Sequence, residues 1–600
     1  MNAKLDKGLR IGLFLLILLV SLGLDRPKGV YAAAPSHDDF INAKVIDSIT
    51  YVDLNVDVRE ATPQYNPLNN TVVIPGDGSD PDNVGPCVGT NPPRALNVGS
   101  NTVWYKYTPN TTESISVDTT GSNYDTYIAV WTGTPGSLNL VKCNDEDDNG
   151  YSTLSFIANT GITYYIQVAQ YNGYYGENYN PPTTTGILQF HVYITNLNVS
   201  VGTSLQNNYY LYNASVLTDY YPSLLDGPVK VTSSIGENIF TSQRVTSGDS
   251  YNELMGFPAN QLTTEYWFPY YDHGYPNVVG SNMRTWILVG NASNTLSANV
   301  QIYIGGVLRH SETIAPGSRI TPRWIGLQSG PVRVVSTNGV PIFTSQRVFT
   351  STNNAFDEKL GYPANQFTTE YWFPWYDDKN MTNHILVGNT SSSQAASVQI
   401  FIAGILRGTY TVPANGVLQQ RYPGLIGGPV QVRSTNGVNI VASQKSVSGL
   451  QRSYNEVMGY PFNQFTTTYW FPWYDHGYPS VIGSNMRTWI LVGNPSTTQT
   501  ANVQIYIGGI LQTVPGSTPP TTTFTIPPRG NVTPRWIGLQ GGPVQVVSDI
   551  PIFASERVFT VPNSVFNEAM GIPGNQLTSE YWYPWYDSQN MNNFLLISKP

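Results

Sequence analysis

The densest group of potential metal ligands is a run of four acidic residues, Asp145, Glu146, Asp147 and Asp148. Calcium binds about six to eight oxygen atoms, which carboxylates, backbone carbonyls and water can supply. The run is not an EF-hand loop, because the twelfth position counted from Asp145 holds Phe156 where that loop has a glutamate. We predict that Asp145, Asp147 and Asp148 bind Ca²⁺, and the alternative is a solvated acidic turn.

The histidines form no recognisable catalytic motif. The sequence contains neither His-Glu-x-x-His nor Gly-x-Ser-x-Gly, which excludes a zincin helix and a nucleophile elbow. His273 and His476 recur at equivalent places beside Asp272 and Asp475. A catalytic dyad present in two repeats and missing from their neighbours is not expected, so we interpret both histidines as hydrogen-bonding groups of a loop. We predict a non-enzyme with no catalytic or cofactor-binding residues.

A repeated aromatic phrase offers large flat side chains. It begins at Tyr266 (YWFPYYD), at Tyr371 and Tyr469 (YWFPWYD), and at Tyr581 (YWYPWYD). Both alternating faces of such a strand are bulky, whereas a strand with one face in water would carry polar residues at every second position. One face should therefore pack in its own domain and the other against the neighbouring repeat. Stacking on sugars is the alternative, and either role would fall to Trp267, Trp372, Trp375, Trp470, Trp473, Trp582 and Trp585.

Charged residues make up only 12% of the chain, so charges that recur between repeats are informative. In each repeat a basic residue follows Ser-Gln or Ser-Glu, and a glutamate comes shortly afterwards. We predict structural ion pairs at the surface that fix the loop before Met-Gly-x-Pro, each worth about 0–1 kcal/mol. The predicted pairs are Arg244 with Glu253, Arg347 with Glu358, Lys445 with Glu456, and Arg557 with Glu568.

These phrases belong to a repeat of about 100 residues that begins near residue 200. Its segments alternate apolar and polar residues, as in Ala298 to Ile304, where Val300, Ile302 and Ile304 share one face and Gly305-Gly306 forms the turn. Roughly six or seven short strands per repeat predict an immunoglobulin-like β-sandwich. The predicted domains are a partial unit at 200–264, complete units at 265–369, 370–467 and 468–579, and an incomplete unit at 580–600.

The N-terminus has the pattern of a secretory signal peptide. Basic residues up to Arg10 precede an apolar run from Ile11 to Leu24, and small residues extend to Ala34. The apolar run is shorter than the ~20 residues that a membrane-spanning helix needs. We predict that residues 1–34 are cleaved off during secretion, and the alternative is an uncleaved anchor.

The cysteine content fits an extracellular protein. The chain has two cysteines, Cys87 and Cys143. In an oxidising compartment two cysteines are expected to form one disulfide. A pair of buried thiols is the alternative.

The overall composition excludes several classes of protein. The 600 residues carry 30 Lys and Arg against 39 Asp and Glu, a formal net charge of −9, which argues against binding to nucleic acid or to anionic membrane surfaces. The 40 Tyr and 13 Trp argue against disorder. No apolar run after the leader has membrane length. The expected fold class is all-β, with an N-terminal sandwich followed by tandem sandwich repeats.

Residues 35–196 differ from the repeats and contain three phrases in a fixed order. Asp38 to Ala43 reads DDFINA, Thr102 to Pro109 reads TVWYKYTP, and Asn123 to Gly133 reads NYDTYIAVWTG. The second cysteine and the acidic run follow the third phrase. This order resembles the bacterial pre-peptidase C-terminal (PPC) domain, although here the domain comes directly after the leader.

The resemblance implies a small jelly-roll-like β-sandwich in a secreted protein. It also implies that Cys87 pairs with Cys143 and that Asp125 lies near the acidic run as a further Ca²⁺ ligand. The repeats in turn look like the tandem Ig-like units of large bacterial cell-surface proteins.

The leading hypothesis for function is a secreted, non-enzymatic cell-surface protein, in which a rod of sandwiches serves adhesion or an extracellular layer. Its partners would be polysaccharide or protein of the cell surface or matrix. One alternative is an array of carbohydrate-binding modules. Another is the non-catalytic part of a secreted hydrolase whose enzyme domain follows residue 600.

The two ends of the repeat region lead to a separate expectation. The aromatic strand that begins at Tyr581 has no sandwich of its own in the sequence order, and an unpaired strand edge seeks a partner. The open unit near Tyr209 to Val229 of another copy would accept it by strand addition, which would build filaments. An incomplete chain is the alternative explanation of the same ends.

Overall fold

A computed structural model of the protein describes residues 34–49, 51–61, 100–134, 137–144, 151–170, 186–194, 196–211, 214–248, 250–350, 355–448, 453–561 and 565–600. The chain divides into two compact units, Met1–Thr195 and Asn196–Pro600. The described residues form β-strands and short 3-10 turns without an α-helix, so the predicted all-β class with tandem sandwiches is confirmed. No helix in these ranges is long and apolar enough to span a bilayer.

The N-terminal unit is a two-sheet sandwich. Its strands are β1 (Lys44–Ile46), β2 (Tyr51–Asp57), β3 (Ser100–Tyr107), β4 (Glu113–Asp118), β5 (Thr126–Thr134), β6 (Ser137–Asn144), β7 (Thr153–Ala158), β8 (Tyr164–Gln170) and β9 (Ile187–Ile194), preceded by a 3-10 turn at Phe40–Asn42. One sheet has the order β1-β3-β8-β5-β6 and the other β2-β9-β4-β7. Tyr105 and Phe190 stack between the sheets with ring centroids 3.8 Å apart. The core therefore lies between the inward faces of both sheets.

Four sandwiches make up the second unit, and we number them along the chain. The first contains β10 (Leu197–Val201), β11 (Ser204–Tyr209), β12 (Val216–Tyr220), β13 (Leu225–Asp226), β14 (Val229–Ser233), β15 (Phe240–Ser247), β16 (Ser250–Met255) and β17 (Phe257–Pro258). The second contains β18 (Glu265–Phe268), β19 (Tyr271–His273), β20 (Met283–Asn291), β21 (Ala298–Ile304), β22 (Val307–Ile314), β23 (Arg319–Ile320), β24 (Leu327–Ser329), β25 (Val332–Ser336), β26 (Ile342–Thr350), β27 (Phe356–Leu360) and β28 (Tyr362–Pro363).

The third and fourth sandwiches repeat this plan. The third contains β29 (Glu370–Phe373), β30 (Tyr376–Asp377), β31 (Thr382–Asn389), β32 (Ala396–Ile402), β33 (Ile405–Val412), β34 (Val417–Gln420), β35 (Ile426–Gly427), β36 (Val430–Ser434), β37 (Ile440–Val447), β38 (Tyr454–Met458) and β39 (Tyr460–Pro461). The fourth contains β40 (Thr466–Phe471), β41 (Tyr474–Asp475), β42 (Met486–Gly493), β43 (Ala501–Ile507), β44 (Ile510–Leu511), β45 (Phe524–Ile526), β46 (Asn531–Val532), β47 (Gln540–Gly541), β48 (Val544–Thr560), β49 (Phe566–Met570) and β50 (Ile572–Pro573).

The second sandwich shows how the sequence pattern builds each unit. Its sheets have the orders β22-β21-β25-β18-β28 and β23-β20-β26-β27. The alternation along β21 is as predicted, since Val300, Ile302 and Ile304 are all buried. Gly305 and Gly306 have φ angles of 59° and 76°, a conformation that favours glycine, and they form the turn to β22.

The fourth sandwich departs from the others at one turn. The second sandwich turns between β25 and β26 at Thr337-Asn338-Gly339, where Gly339 has a φ of 79°. The corresponding stretch of the fourth sandwich lacks this Asn-Gly, and β48 runs without interruption through both sheets. The loss of a turn residue thus joins two strands into one.

The last strands of the chain complete the first sandwich. They are β51 (Glu580–Tyr583), β52 (Tyr586–Asp587) and β53 (Asn592–Ser598). β51 pairs with β14 and β17, β52 pairs with β13, and β53 lies between β12 and β15. The expectation that the terminal aromatic strand lacks a partner is wrong, because the acceptor lies in the same chain. The segments 200–264 and 580–600 together form one sandwich.

The four sandwiches close into a ring, which corrects the expected rod. β16 contacts β27, β27 contacts β38, β38 contacts β49, and β49 contacts β16. These four equivalent strands therefore surround a central axis. A head-to-tail arrangement that closes on itself leaves no open end within the ring, which removes the reason for the expected filaments.

Candidate functional site

The first tryptophan of each aromatic phrase packs against the neighbouring sandwich. These residues are Trp267, Trp372, Trp470 and Trp582. The ring centroids of Trp582, in the first sandwich, and Phe343, in the second, are 5.3 Å apart. Those of Trp372, in the third sandwich, and Phe553, in the fourth, are 5.8 Å apart. The ring centroids of Trp470, in the fourth sandwich, and Phe240, in the first sandwich, are 5.3 Å apart. Trp267 is buried in the core of the third sandwich. Both faces of these strands are thus used for packing, and the contacts follow one another around the whole ring.

The indole nitrogens at this position show how the rings are oriented. Nε1 of Trp267 donates to Glu265 at 2.7 Å, Nε1 of Trp372 to Glu370 at 2.6 Å, and Nε1 of Trp582 to Glu580 at 2.7 Å. Each carboxylate satisfies the one polar atom of a buried ring. Because Trp267, Trp372 and Trp582 are buried, their rings present no free face to a sugar.

The second tryptophan of the phrase lies in a different environment. Trp375, Trp473 and Trp585 are half-buried. A cleft of about 260 Å³ separates the first and second sandwiches beside Trp585, and we call it the seam cleft. Its aromatic and polar lining includes Trp286, Phe349, Trp585, Asp587 and Asn590.

One ring of the seam cleft, that of Trp585, stacks on an arginine outside the lining. The Arg319 guanidinium lies 3.1 Å from the centroid of the Trp585 ring. Burial lowers the pKa of Arg319 to about 10, so the side chain is still a cation at neutral pH. Nε1 of Trp585 is buried and has no hydrogen-bond partner within the described residues. A cleft lined by aromatic rings and a few polar side chains has the chemistry of a site for a neutral polar ligand.

Three of the four predicted ion pairs are confirmed, but they are buried rather than exposed. Nη2 of Arg244 lies 2.8 Å from Oε2 of Glu253, and Nη2 of Arg347 lies 2.6 Å from Oε2 of Glu358. Arg557 and Glu568 form the same contact. The partners face each other across neighbouring strands beside the axis. Their role is to satisfy charge in the interior, where removal of one partner is costly.

The fourth predicted pair, Lys445 with Glu456, is not formed. Nζ of Lys359, from the second sandwich, lies 2.9 Å from Oε2 of Glu456 in the third. Nζ of Lys445 instead lies 5.7 Å from the centroid of the Tyr454 ring. The cation that pairs with Glu456 therefore comes from the neighbouring sandwich, and the contact joins the two sandwiches.

Asp357 is a buried acid beside this pair. Its Oδ1 accepts hydrogen bonds from the amides of Asn252 at 3.1 Å and Asn455 at 3.0 Å, and its Oδ2 accepts from the backbone N–H of Glu456 at 3.2 Å. Burial raises the pKa of Asp357 to about 8, and the charge of Glu456 adds to the effect while Lys359 opposes it. This acid therefore links three sandwiches at the axis.

A cavity of about 210 Å³ lies on the axis of the ring. Each sandwich contributes an equivalent segment to its wall, such as Met255-Gly256-Phe257-Pro258. Four half-buried glutamines also line it and form a chain of side-chain hydrogen bonds. Nε2 of Gln366 donates to Gln261 at 2.5 Å, that of Gln464 to Gln366 at 2.8 Å, and that of Gln576 to Gln464 at 3.2 Å.

The two recurring histidines support loops. Nδ1 of His273 lies 2.8 Å from the backbone oxygen and 2.9 Å from the backbone nitrogen of Thr285, and Nδ1 of His476 lies 2.7 Å and 3.1 Å from the same atoms of Thr488. Burial lowers the pKa of both imidazoles, and the hydrogen bond to the backbone of Thr285 or Thr488 opposes this in part. Asp272 beside His273 bonds to other groups of the loop, namely the N–H of Gly274 and the hydroxyl of Ser281.

The predicted Ca²⁺ ligands and one cysteine are not all open to description. Asp145, Asp147, Asp148 and Cys87 lie outside the described residues, as does the predicted signal peptide up to residue 33. Asp125 is exposed in the turn before β5, and Cys143 lies half-buried on β6 opposite Ala129. The described residues alone contain no group of three or more potential metal ligands. The Ca²⁺ site and the Cys87–Cys143 disulfide stay predictions.

Sequence reasoning missed the axial groups, although the repeats contain a signal for them. Asp357 stands where the other repeats have Asn252, Asn455 and Asn567. Glu556 stands where they have glutamine, at 243, 346 and 444. A charge that interrupts a neutral repeat position marks a place where one sandwich differs electrostatically from the rest.

Comparisons with known proteins add no family to this geometry. No family model matches the chain, and no curated protein matches it. Among solved structures, the arabinofuranosyltransferase AftD from mycobacteria aligns at 9% identity over 83% of this chain, with a TM-score of 0.11. The alignment covers 41% of that structure's chain, and a similarity at this TM-score carries no argument about fold or function.

Proposed function

We propose that this protein is a secreted, non-enzymatic scaffold of the cell surface that serves adhesion or the structure of an extracellular layer. The observation that carries the proposal is the interlocked ring. Its recurrent tryptophans pack one sandwich against the next, and the ion pair of Lys359 with Glu456 joins the second sandwich to the third. A closed ring of this kind presents many surface loops from a rigid frame, which is what a structural or adhesive protein requires.

Two experiments test this role: one locates the protein on the cell, and the other measures cell attachment after the gene is deleted. Protease added to intact producing cells should degrade the protein while a cytoplasmic marker survives, and deletion of the gene should weaken cell attachment or remove layer material. Re-expression of the full chain should restore both. A protein that protease reaches only after lysis, or a deletion without effect on attachment and layer, would refute the proposal.

A second candidate function is carbohydrate binding at the seam cleft. Trp286 and Trp585 contribute aromatic rings to its lining, and Asn590, whose Nδ2 donates to Asp587, contributes an amide group. Apolar faces with a few polar groups at their edge suit the apolar and polar sides of a sugar ring.

A glycan array with the full chain tests this candidate. Binding should be lost in Trp286→Ala and kept in Trp324→Ala, a matched change at a half-buried tryptophan of the same sandwich outside the cleft. Equal loss in both variants, or no bound glycan on the array, would contradict the assignment of the cleft.

A further inference from the structure

Two loops of the ring hold an aliphatic side chain fully in solvent. Val279 and Ile482 each have a relative exposure of 103%, at the apex of the segments 274–281 and 477–484. We call these segments the tip loops. Isolated apolar groups at the surface are common, but these two occupy the same place in two different sandwiches.

The tip loops are held in position by their own hydrogen bonds. Oδ1 of Asp272 accepts from the N–H of Gly274 at 3.0 Å and from the hydroxyl of Ser281 at 2.9 Å. Asp475 makes the equivalent bonds in the fourth sandwich, at 2.9 Å and 2.8 Å. The exposure of each apex is therefore built into the loop geometry.

An arginine and a tyrosine accompany each apex. The guanidinium of Arg284 lies 5.2 Å from the Tyr275 ring centroid, and that of Arg487 lies 4.9 Å from the Tyr478 ring centroid. The first and third sandwiches have the shorter connections Asp587–Met591 and Asp377–Met381 in place of the tip loop. They also lack the arginine, because Asn592 and Thr382 stand at its position. Apex and arginine thus occur together or not at all.

Both tip loops leave equivalent ends of their sandwiches. The tip loops belong to the second and fourth sandwiches, which alternate with the other two around the axis. Because the ring closes, equivalent points are related by rotation without translation along the axis, so Val279 and Ile482 lie at the same height. Each tip loop precedes the strand end at which Met283 lies opposite Thr350 or Met486 lies opposite Thr560, so a flat surface across that end of the ring can meet both loops.

We propose that the tip loops dock the ring onto a phospholipid surface that contains anionic headgroups. An apex side chain that is free on all sides becomes fully desolvated only in a medium that surrounds it, which acyl chains do and a flat protein surface does not. Tyrosine is favoured at the interfacial depth, and the arginine at the base of each loop meets phosphate there. The net charge of −9 opposes adsorption of the chain as a whole to an anionic surface, so the attraction has to come from the arginine at the base of each tip loop, Arg284 or Arg487.

Docking by two loops also gives an avidity effect. When one apex is inserted, the other is held close to the same surface, so its insertion becomes an intramolecular step. Loss of either apex should therefore weaken binding strongly although one loop remains.

Co-sedimentation of the full chain with vesicles tests the proposal. The native protein should bind vesicles of phosphatidylcholine with phosphatidylglycerol as the minor component. Val279→Asp and Ile482→Asp should each weaken binding about tenfold, the effect expected when one aliphatic side chain is no longer buried. Ile405→Asp, a matched change at an exposed isoleucine of the third sandwich, should bind like the native chain.

The arginines provide a second readout. Arg284→Gln with Arg487→Gln should weaken binding to the anionic vesicles and reduce its salt dependence, while weak binding to pure phosphatidylcholine stays unchanged. Circular dichroism melts check that each variant is folded. A native chain that does not sediment with anionic vesicles, or tip variants that bind as the native chain does, would overturn the proposal. A native dimer that Val279→Asp dissociates, without vesicle binding, would assign the tips to a protein contact instead and overturn it equally.

Discussion

Single charges decide where the otherwise repetitive ring differs from sandwich to sandwich. Asp357 is the clearest case, because three asparagines occupy its position elsewhere. Its pKa of about 8 lies far above the ordinary value for an aspartate, since burial disfavours the charged form. The native state therefore holds a proton on Asp357 over a pH range in which the unfolded chain has released it.

Asp357→Asn should flatten the pH dependence of stability. Between about pH 4 and pH 8 the native state binds more protons than the unfolded state at this site, so the stability of the native protein falls as the pH rises, by at most about 1.4 kcal/mol per pH unit. Above pH 8 this contribution levels off. The asparagine keeps the neutral shape and has no such slope. Calorimetric melting at pH 5, 7 and 9 measures the difference, which should grow with pH, and parallel curves for the two proteins would contradict the assignment.

Glu556→Gln is expected to stabilise the protein. At the equivalent position, Nε2 of Gln243, Gln346 and Gln444 donates to the backbone carbonyls of Trp585, Tyr270 and Trp375 at 2.7, 2.9 and 2.8 Å. Burial raises the pKa of Glu556 well above its usual range, and the charge of Glu253 raises it further. Glutamine would supply the donor at every pH, and one such bond is worth about 1 kcal/mol.

The reciprocal change in the third sandwich is the matched control for this prediction. Gln444→Glu places a carboxyl where an amide now donates, so it should lower the melting temperature, and more so at high pH. The two variants should shift the melting temperature in opposite directions in the same differential scanning experiment. Shifts of the same sign would contradict the prediction that a side-chain donor at this position stabilises the sandwich.

At the scale of elements, the aromatic strand of each sandwich contributes side chains to two hydrophobic cores. β51 illustrates this, since Tyr581 and Tyr583 are buried in the first sandwich while Trp582 is buried in the second. Alternation along a strand sends neighbouring residues to opposite faces, so one strand can belong to two cores. The phrase is aromatic at consecutive positions for this reason.

Trp582→Ala should therefore weaken the seam between the first and second sandwiches. Truncation of a buried tryptophan to alanine lowers the free energy of unfolding by about 3–5 kcal/mol, and the same change at a half-exposed tryptophan lowers it much less. Trp324→Ala, in the same ring but half-buried, should cost much less. Urea unfolding of both variants gives the comparison, and hydrogen exchange should show the excess opening at β14 and β26. Equal losses in the two variants would contradict the interlocking role of Trp582.

At the scale of the whole molecule, the ring is closed by strands that are far apart in sequence. Val229 lies opposite Tyr583 in the ladder between β14 and β51, and Phe240 lies opposite Ser598 in the ladder between β15 and β53. Removal of β51 and β53 would expose the edges of β12, β14 and β15. It would also remove the buried side chains of Leu595 and Ile597 from the core.

A chain that ends at residue 579 should have an open first sandwich. We expect residues 196–258 to become sensitive to protease and the truncated protein to self-associate through the exposed edge, whereas the full chain keeps its size at high concentration. A synthetic peptide of residues 580–600, added in trans, should restore protection, and a peptide with Leu595→Asp should not. Size-exclusion chromatography with limited proteolysis reads both effects. A truncated chain that is as protected and as monodisperse as the native one would contradict closure by these strands.

The sequence by itself determined the parts of this protein that depend on local periodicity. Alternation in segments such as Ala298–Ile304 shows an all-β chain of repeated sandwiches, because a buried face demands an apolar residue at every second position. The recurring arginines and glutamates showed which side chains would pair, since charges are rare enough for their positions to stand out. The bulk of consecutive aromatic residues indicated that one strand serves two cores.

The tertiary structure alone decided how the repeats are joined. The relative rotation of neighbouring sandwiches is set by side-chain packing such as that of Trp582 on Phe343, and no sequence period encodes that angle. Closure of the ring follows from the accumulated rotation, and only closure brings β53 back to β12 and β15. It also brings Asp357 and the four glutamines to one axis, where burial in a low-dielectric interior gives an ordinary carboxyl an unusual pKa.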